Sequence, residues 1–165
     1  MAQAMPSTQD LLEILVLELT QDLEELTRRA QETAAGAVHE EARPEDDKDT
    51  RALEQTYLAR GQAERVATVS RSLQLIQSLR PADFTDDQPI ASTALVTIED
   101  EEGVEKTVFL LPVAGGKKLA LAHETVQVVT PSSPLGEGLL GKTEGDELEI
   151  RIGTKRRLWT VLSVR

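Results

Sequence analysis

The sequence predicts an α+β protein in two parts: an antiparallel helical hairpin, read as a coiled coil, over residues 1–80, then a small antiparallel β domain with one short helix over 81–165. Three observations carry this expectation. Leucines recur at three- and four-residue steps through the first part of the chain. A proline and a run of acids interrupt the helical pattern near Pro44. After Pro81 the apolar period changes from helical to alternating.

The first helix is expected between Ser7 and Arg43, a stretch without proline and with Gly36 as its single glycine. Leu12, Leu15, Leu19, Leu23 and Leu26 fall on one face, and Leu12, Leu19 and Leu26 are seven apart, as in a coiled-coil seam. Ser7 or Thr8 suits the N-cap, with Asp10 in the first turn against the positive end of the dipole. Beyond Ala30 the stripe weakens to Ala34, Ala37 and Val38. Pro44 removes a backbone donor and pushes Arg43 out of the helical region, so the chain should reverse between Arg43 and Asp47.

The second helix is expected from Thr50 to Arg80, with Leu53, Tyr57, Val66, Val69, Leu73, Ile76 and Leu79 as its stripe and Pro81 as its stop. Each helix would be roughly 45 Å long at 1.5 Å per residue. Each has one apolar face and needs the other to cover it. The product is a rod with Glu45, Asp46, Asp47 and Asp49 at its far end.

Strands are expected at Ser92–Ile98, Glu105–Leu111, Thr125–Val129, Asp146–Ile152 and Leu158–Val164, with a short helix within Ser133–Leu140. Pro134 suits the first helical position and Gly141 the end. Gly115-Gly116-Lys117-Lys118 reads as a loop that lacks the spacing of a phosphate-binding motif.

Composition limits the chemistry. The formal charge of −11 opposes non-specific binding to nucleic acid and leaves room for a local basic face. With no cysteine there is no disulfide framework, thiolate nucleophile or thiolate metal site. His39 and His123 are isolated. No apolar run is long enough to span a bilayer and no secretory signal is visible, so a cytoplasmic protein is expected.

The run Val128 to Asp146 resembles the C-terminal domain of the Gre family of transcription elongation factors. The matching features are Ser133-Pro134-Leu135, Leu139-Leu140-Gly141-Lys142, Gly145-Asp146 and the closing hairpin from Glu147 to Val164. The order of the two halves is similar as well. The resemblance implies an FKBP-like β domain that docks on bacterial RNA polymerase, with Ser133, Pro134 and Leu135 at the docking surface. It implies a coiled coil that enters the secondary channel and holds acidic residues near the active centre. There they would help bind a Mg²⁺ shared with the polymerase, so that the polymerase cleaves backtracked RNA. One or two carboxylates suffice, because Mg²⁺ keeps several of its waters.

The tip departs from the family pattern. The family carries Asp-Leu-Lys-Glu-Asn at the start of its second helix. Aligned on Ala59-Arg60, the family Asp falls on Asp49, its basic residue on Arg51 and its Glu on Ala52. The resemblance therefore gives Asp46, Asp47 and Asp49 as tip carboxylates and metal ligands within the polymerase complex. The plain alternative is a solvated turn whose acids cap the second helix. For Ser133, Pro134 and Leu135 the alternative is an ordinary helix start beside a core, and Leu139 and Leu140 are assigned to that core.

No catalytic residue or cofactor of its own is expected. The partner implied is RNA polymerase, with indirect contact to nascent RNA, no membrane, and a monomeric state. The missing carboxylate at Ala52 leaves two effects open: a cleavage-promoting elongation factor, or a channel-binding inhibitor, as in Gre relatives with reworked tips. A prolyl isomerase is disfavoured, because Tyr57, Phe84, Phe109 and Trp159 are too scattered to line a proline pocket.

Overall fold

A computed structural model describes residues 7–41, 48–85, 87–121 and 124–165, with side chains except at 37–41, 48–52, 121 and 152. Two helices come first, α1 (Thr8–Glu41) and α2 (Lys48–Ser78). Six strands and a short helix follow: β1 (Leu95–Asp100), β2 (Glu105–Leu110), β3 (Lys118–Leu121), β4 (Glu124–Val129), α3 (Pro134–Leu139), β5 (Glu147–Ile152) and β6 (Lys155–Val164). The predicted class, two helices and then a sheet domain, is the one observed. The chain divides into two compact units: Leu15–Gln77, and Met1–Ile14 together with Ser78–Arg165.

The start of α1 is a reciprocal cap. The Asp10 amide donates to Ser7 Oγ at 3.1 Å, while the Ser7 amide donates back to Asp10 Oδ2 at 2.9 Å. Two of the donors that every helix leaves open at its N-terminus are thereby satisfied. The Ser7 hydroxyl, which also donates to Asp10 Oδ2 at 2.8 Å, and then the Ser7 amide hold the Asp10 carboxyl below its ordinary value.

In the helical unit each helix shelters one stripe. On α1 it comprises buried Leu15 and Leu19, then half-buried Leu23, Leu26, Ala30 and Thr33. On α2 it runs back from buried Ile76 through half-buried Leu73, Val69, Val66, Gln62, Ala59 and Gln55. Both follow the three-and-four step of a heptad seam. Along α2 the sheltered residues change from Ile, Leu and Val to Gln and Ala, so the apolar area available for burial falls toward its N-terminal end. Leu53 and Tyr57, expected in this stripe, are 56% and 67% exposed. Tyr57 stands two residues, about 200° of helical rotation, from both Gln55 and Ala59, so it points away from the sheltered face.

The second unit is built on one six-stranded sheet in the order β3-β4-β2-β1-β6-β5. The expected antiparallel domain is mixed: β2 and β4 pair in parallel, Thr107 opposite Val126 and Leu110 opposite Val129. The cause is β3, an unexpected strand that begins at Lys118, the last residue of the segment expected to be a loop. The chain leaves β2, runs out along the sheet edge as β3, and returns as β4 between them. That extra reversal sets β4 in the same direction as β2. Gly115 and Gly116 make the corner. A Cβ on Gly115 would lie 2.9 Å from Thr130 Cγ2, and Gly116 has φ +88°.

Alternation divides the sheet into two faces. Val96, Ile98, Val108, Leu110, Val129, Leu148, Ile150, Trp159, Val161 and Val164 gather with Ile90, Ala94 and the α3 residue Leu139 in one core. The opposite parity carries Leu95, Phe109, Leu119, Val126 and Val128, all buried. Leu11 and Leu12 of the same unit are buried too, and the residues just before them, Ser7 and Thr8, line a cleft with Phe84, Leu95 and Arg165.

Candidate functional site

The segment from Thr130 to Asp146 is a chain of capped turns joining β4 to β5. Ser133 is the N-cap of α3: its backbone is extended, and its Oγ accepts from the Gly136 amide at 3.1 Å. The same hydroxyl donates to the Thr130 carbonyl at 2.7 Å, which the Ser133 amide also reaches at 2.9 Å. One serine thus fastens the strand end to the helix start. Pro134 follows at the first helical position, where its missing N–H costs nothing. Gly136 is buried against the Thr130 carbonyl so closely that a Cβ would stand 2.0 Å from its oxygen.

The end of α3 is held in the same way. The Leu140 amide donates to the Gly136 carbonyl at 3.0 Å, and Gly141 adopts φ +76°. Ile90 exchanges two backbone hydrogen bonds with this corner: its amide donates to the Lys142 carbonyl at 2.7 Å and its carbonyl accepts from Gly141 at 2.9 Å. Asp146 closes the next turn, its Oδ2 accepting from the Thr143 amide at 2.8 Å and the Thr143 hydroxyl at 3.2 Å. The backbone bond from Thr143 is the main reason the Asp146 carboxyl is held below its ordinary value. The Gly145 amide donates to the Val161 carbonyl, and the Asp146 carbonyl accepts from Val161.

The candidate docking residues therefore divide by role. Ser133 is half-buried and acts as a cap, and Leu135 packs on the core. Only Pro134 of the three is exposed. Leu139 is fully buried as expected, whereas Leu140 is 42% exposed, which corrects its assignment to the core. A helix of six residues has room for one inward stripe, and Gly136 and Leu139 occupy it. The outward face is Pro134, Glu137 and Leu140, stepping by three. The sequence held that signal; it was obscured by reading Leu139 and Leu140 as a pair.

At the other candidate site, Asp46 and Asp47 lie outside the described residues, as do Pro44 and Glu45. Asp49 is on the first turn of α2, with no side-chain description, and Arg51 and Ala52 follow on the same helix. As donors, aspartate oxygens match the preference of Mg²⁺ for hard ligands. Among the described residues no three His, Asp or Glu side chains converge on a metal position. Arg60 pairs with Glu64 at 3.3 Å on the solvated outside of α2. His123 is outside the described residues, and the side chain of His39 is not described.

Residues 86–165 match the family of transcription elongation factors GreA/GreB, C-terminal domain. The C-terminal half of this chain belongs to the Gre family. Among solved structures, the chain is similar to the GreA factor homolog 1 (Gfh1) protein of Thermus thermophilus, at 20% identity over 91% of this chain and 94% of that one, with a TM-score of 0.39. It is similar to Gfh1 of Thermus aquaticus at 18% identity over 90% and 92%, TM-score 0.38. A GreA/GreB factor from Nitrosomonas europaea matches at 16% identity over 70% and 94%, TM-score 0.36. No curated protein sequence matches.

The Gre match includes the whole sheet and every capped turn from Thr130 to Asp146. By that match the chain is a transcription elongation factor-like protein. Among the described residues no helix is long and apolar enough to cross a membrane.

Proposed function

We propose that this Gre-type protein binds bacterial RNA polymerase through its C-terminal body and acts in the secondary channel through the acidic segment between α1 and α2. The observation that carries the reading is the family match over 86–165, in which Ser133, Gly136, Gly145 and Asp146 each have a specific bonding task in the turns that join β4 to β5. Pro134, Glu137 and Leu140 form its outward face and are the docking contacts. Ser133 and Leu135 position them. In the channel, Asp46, Asp47 and Asp49 add oxygen ligands to a Mg²⁺ of the polymerase and help it orient the water that cleaves backtracked RNA. The protein holds no metal of its own, is inert in isolation, and contacts nascent RNA only within the complex.

Ala52 favours a second effect. The position that in Gre factors supplies a glutamate has no carboxylate, so the aspartates can hold Mg²⁺ without the cleavage geometry, and the protein then blocks the channel. A single assay separates the two: transcript cleavage and run-on synthesis in stalled elongation complexes, with the parent protein and with D46A/D47A/D49A. The first reading expects faster cleavage that the triple variant loses. The second expects inhibited synthesis that the triple variant relieves. An effect of either sign that survives all three substitutions refutes the tip mechanism.

A further inference from the structure

Exposed large apolar side chains of the helical unit fall in two places among the described residues. Leu17 and Leu75 belong to the end where α1 begins and α2 finishes. Leu53, Tyr57 and Leu58, each more than half exposed, belong to the other end, shortly after α2 begins. In the last described side chains of α1, by contrast, the exposed residues are polar or small: Gln31, Glu32, Ala34, Ala35 and Gly36.

A lone exposed leucine is ordinary, whereas an adjoining apolar pair is not. Leu53 and Tyr57 are four residues apart, so they are neighbours on the helix surface, with Cβ atoms about 6 Å from each other. They lie one and two turns beyond position 49, at rises of about 6 and 12 Å, and only about 40° and 80° round the helix from it. The sheltered stripe of Gln55, Ala59, Gln62 and Val66 is on the opposite side, about 180° away. Leu58 is placed differently. It is about 140° round from Leu53 and borders the sheltered stripe.

The seam between the helices has no use for this pair, and in water both side chains forgo the free energy that burial would supply. Tyrosine adds a rigid ring with a polar rim, a frequent anchor in protein interfaces. Tyr57 is the single tyrosine of the chain. Leu53 stands where the Gre pattern has Asn, directly after Ala52, where that pattern has Glu. Two successive polar positions are thus apolar here, while the carboxylate position at Asp49 is kept. On the polymerase reading, position 49 works inside a channel, and a contact beside it decides which way it faces.

We infer that Leu53 and Tyr57 are positioning residues: a one-sided apolar anchor that packs on the protein wall of the polymerase channel and fixes the roll of α2, so that position 49 is turned toward the active centre. The inference rests on the polymerase reading and deepens it. The surface that receives the pair is apolar protein rather than RNA. Leu53 and Tyr57 carry no charge to offer a phosphate, and the flanking Asp49 and Glu54 repel one.

The test titrates the labelled full chain with RNA polymerase free of nucleic acid, beside the assay on stalled complexes. L53A/Y57A should bind about tenfold more weakly and need about tenfold more protein for half of the parent's effect. L53M/Y57F keeps area and shape and should stay within about twofold of the parent. L58A should match the parent, since it is off the anchoring face. Each variant should melt with the parent, because the exchanged side chains are in solvent. D46A/D47A/D49A should do the converse and lose the effect while keeping the affinity. An active parent matched by L53A/Y57A overturns the inference alone, as does an equal loss in L58A. A loss seen only when the complex holds RNA overturns it too, because the ring then stacks on the transcript. A parent that neither binds nor affects polymerase removes the polymerase reading, and the anchor falls with it.

Discussion

Gln62 and Gly136 show how a single side chain can be read for its cost. Gln62 occupies the sheltered stripe of α2, and its Oε1 is buried with no hydrogen-bond partner among the described residues. A buried acceptor without a donor costs about 1–3 kcal/mol. Gln62→Leu should therefore stabilise the chain by roughly 1–2 kcal/mol, measured as a higher denaturant midpoint at unchanged slope. Gly136 is the opposite case. A methyl group there would overlap the Thr130 carbonyl, and that atom is backbone, held by two bonds from Ser133. Gly136→Ala should cost about 3 kcal/mol or more, as overpacking against an immobile wall does, and should be visible in the same unfolding curve. Neither effect was legible in the sequence. A glutamine at a heptad position looks solvated until the stripe is phased, and a glycine after Ser-Pro-Leu looks like a loop residue until the returning strand end is placed above it.

The elements differ in how openly the sequence declares them. α1 and α2 were readable because leucine spacing, the Ser7–Asp10 cap at the start of α1 and Pro81 after the end of α2 are each local signals, acting within a turn or two of the residues they affect. The far stripe of α2 was not, because Leu53 and Tyr57 are apolar for some reason other than burial. β3 was missed because four residues led by Lys118 alternate too briefly to be seen beside two glycines. Its consequence, the parallel β2–β4 pair, depends on contacts between distant parts of the chain, which no local pattern encodes. Caps also set the response to acid. Asp10 and Asp146 have folded values depressed below the ordinary 3.8 by the donors they accept from. Their stabilising effect is in place above that ordinary value and drains away as pH falls through the lower folded ones. The double variant D10N/D146N should accordingly melt lower than the parent at neutral pH and lose less on acidification, so that the two Tm curves converge in acid.

At the scale of the whole molecule, sequence order and compact units do not coincide. Of the described residues, the sheet body contains Ser7 to Ile14 as well as those after Gln77, and Leu11 and Leu12 are among its buried side chains. A chain lacking residues 1–14 should keep its β circular dichroism but melt several degrees lower and bind a hydrophobic dye. Equal stability of the shortened chain would mean that Leu11 and Leu12 add nothing to that body. The candidate site was legible in part for a related reason. The motif from Ser133 to Asp146 is contiguous, so its residues could be named in advance, but which of them face outward depends on Ile90 and Val161 bonding in from elsewhere.

The position of β6 between β1 and β5 has a consequence for synthesis. β1 finds β2 within a few residues, yet its other edge stays bare until a partner some sixty residues downstream has emerged from the ribosome. During that interval Val96 and Ile98 sit on a strand whose outer amides and carbonyls are open to any passing chain. A message interrupted between β2 and β6 would release that edge permanently, so truncated products should be found in the insoluble fraction or in proteolysis, rather than as a surviving half-sheet.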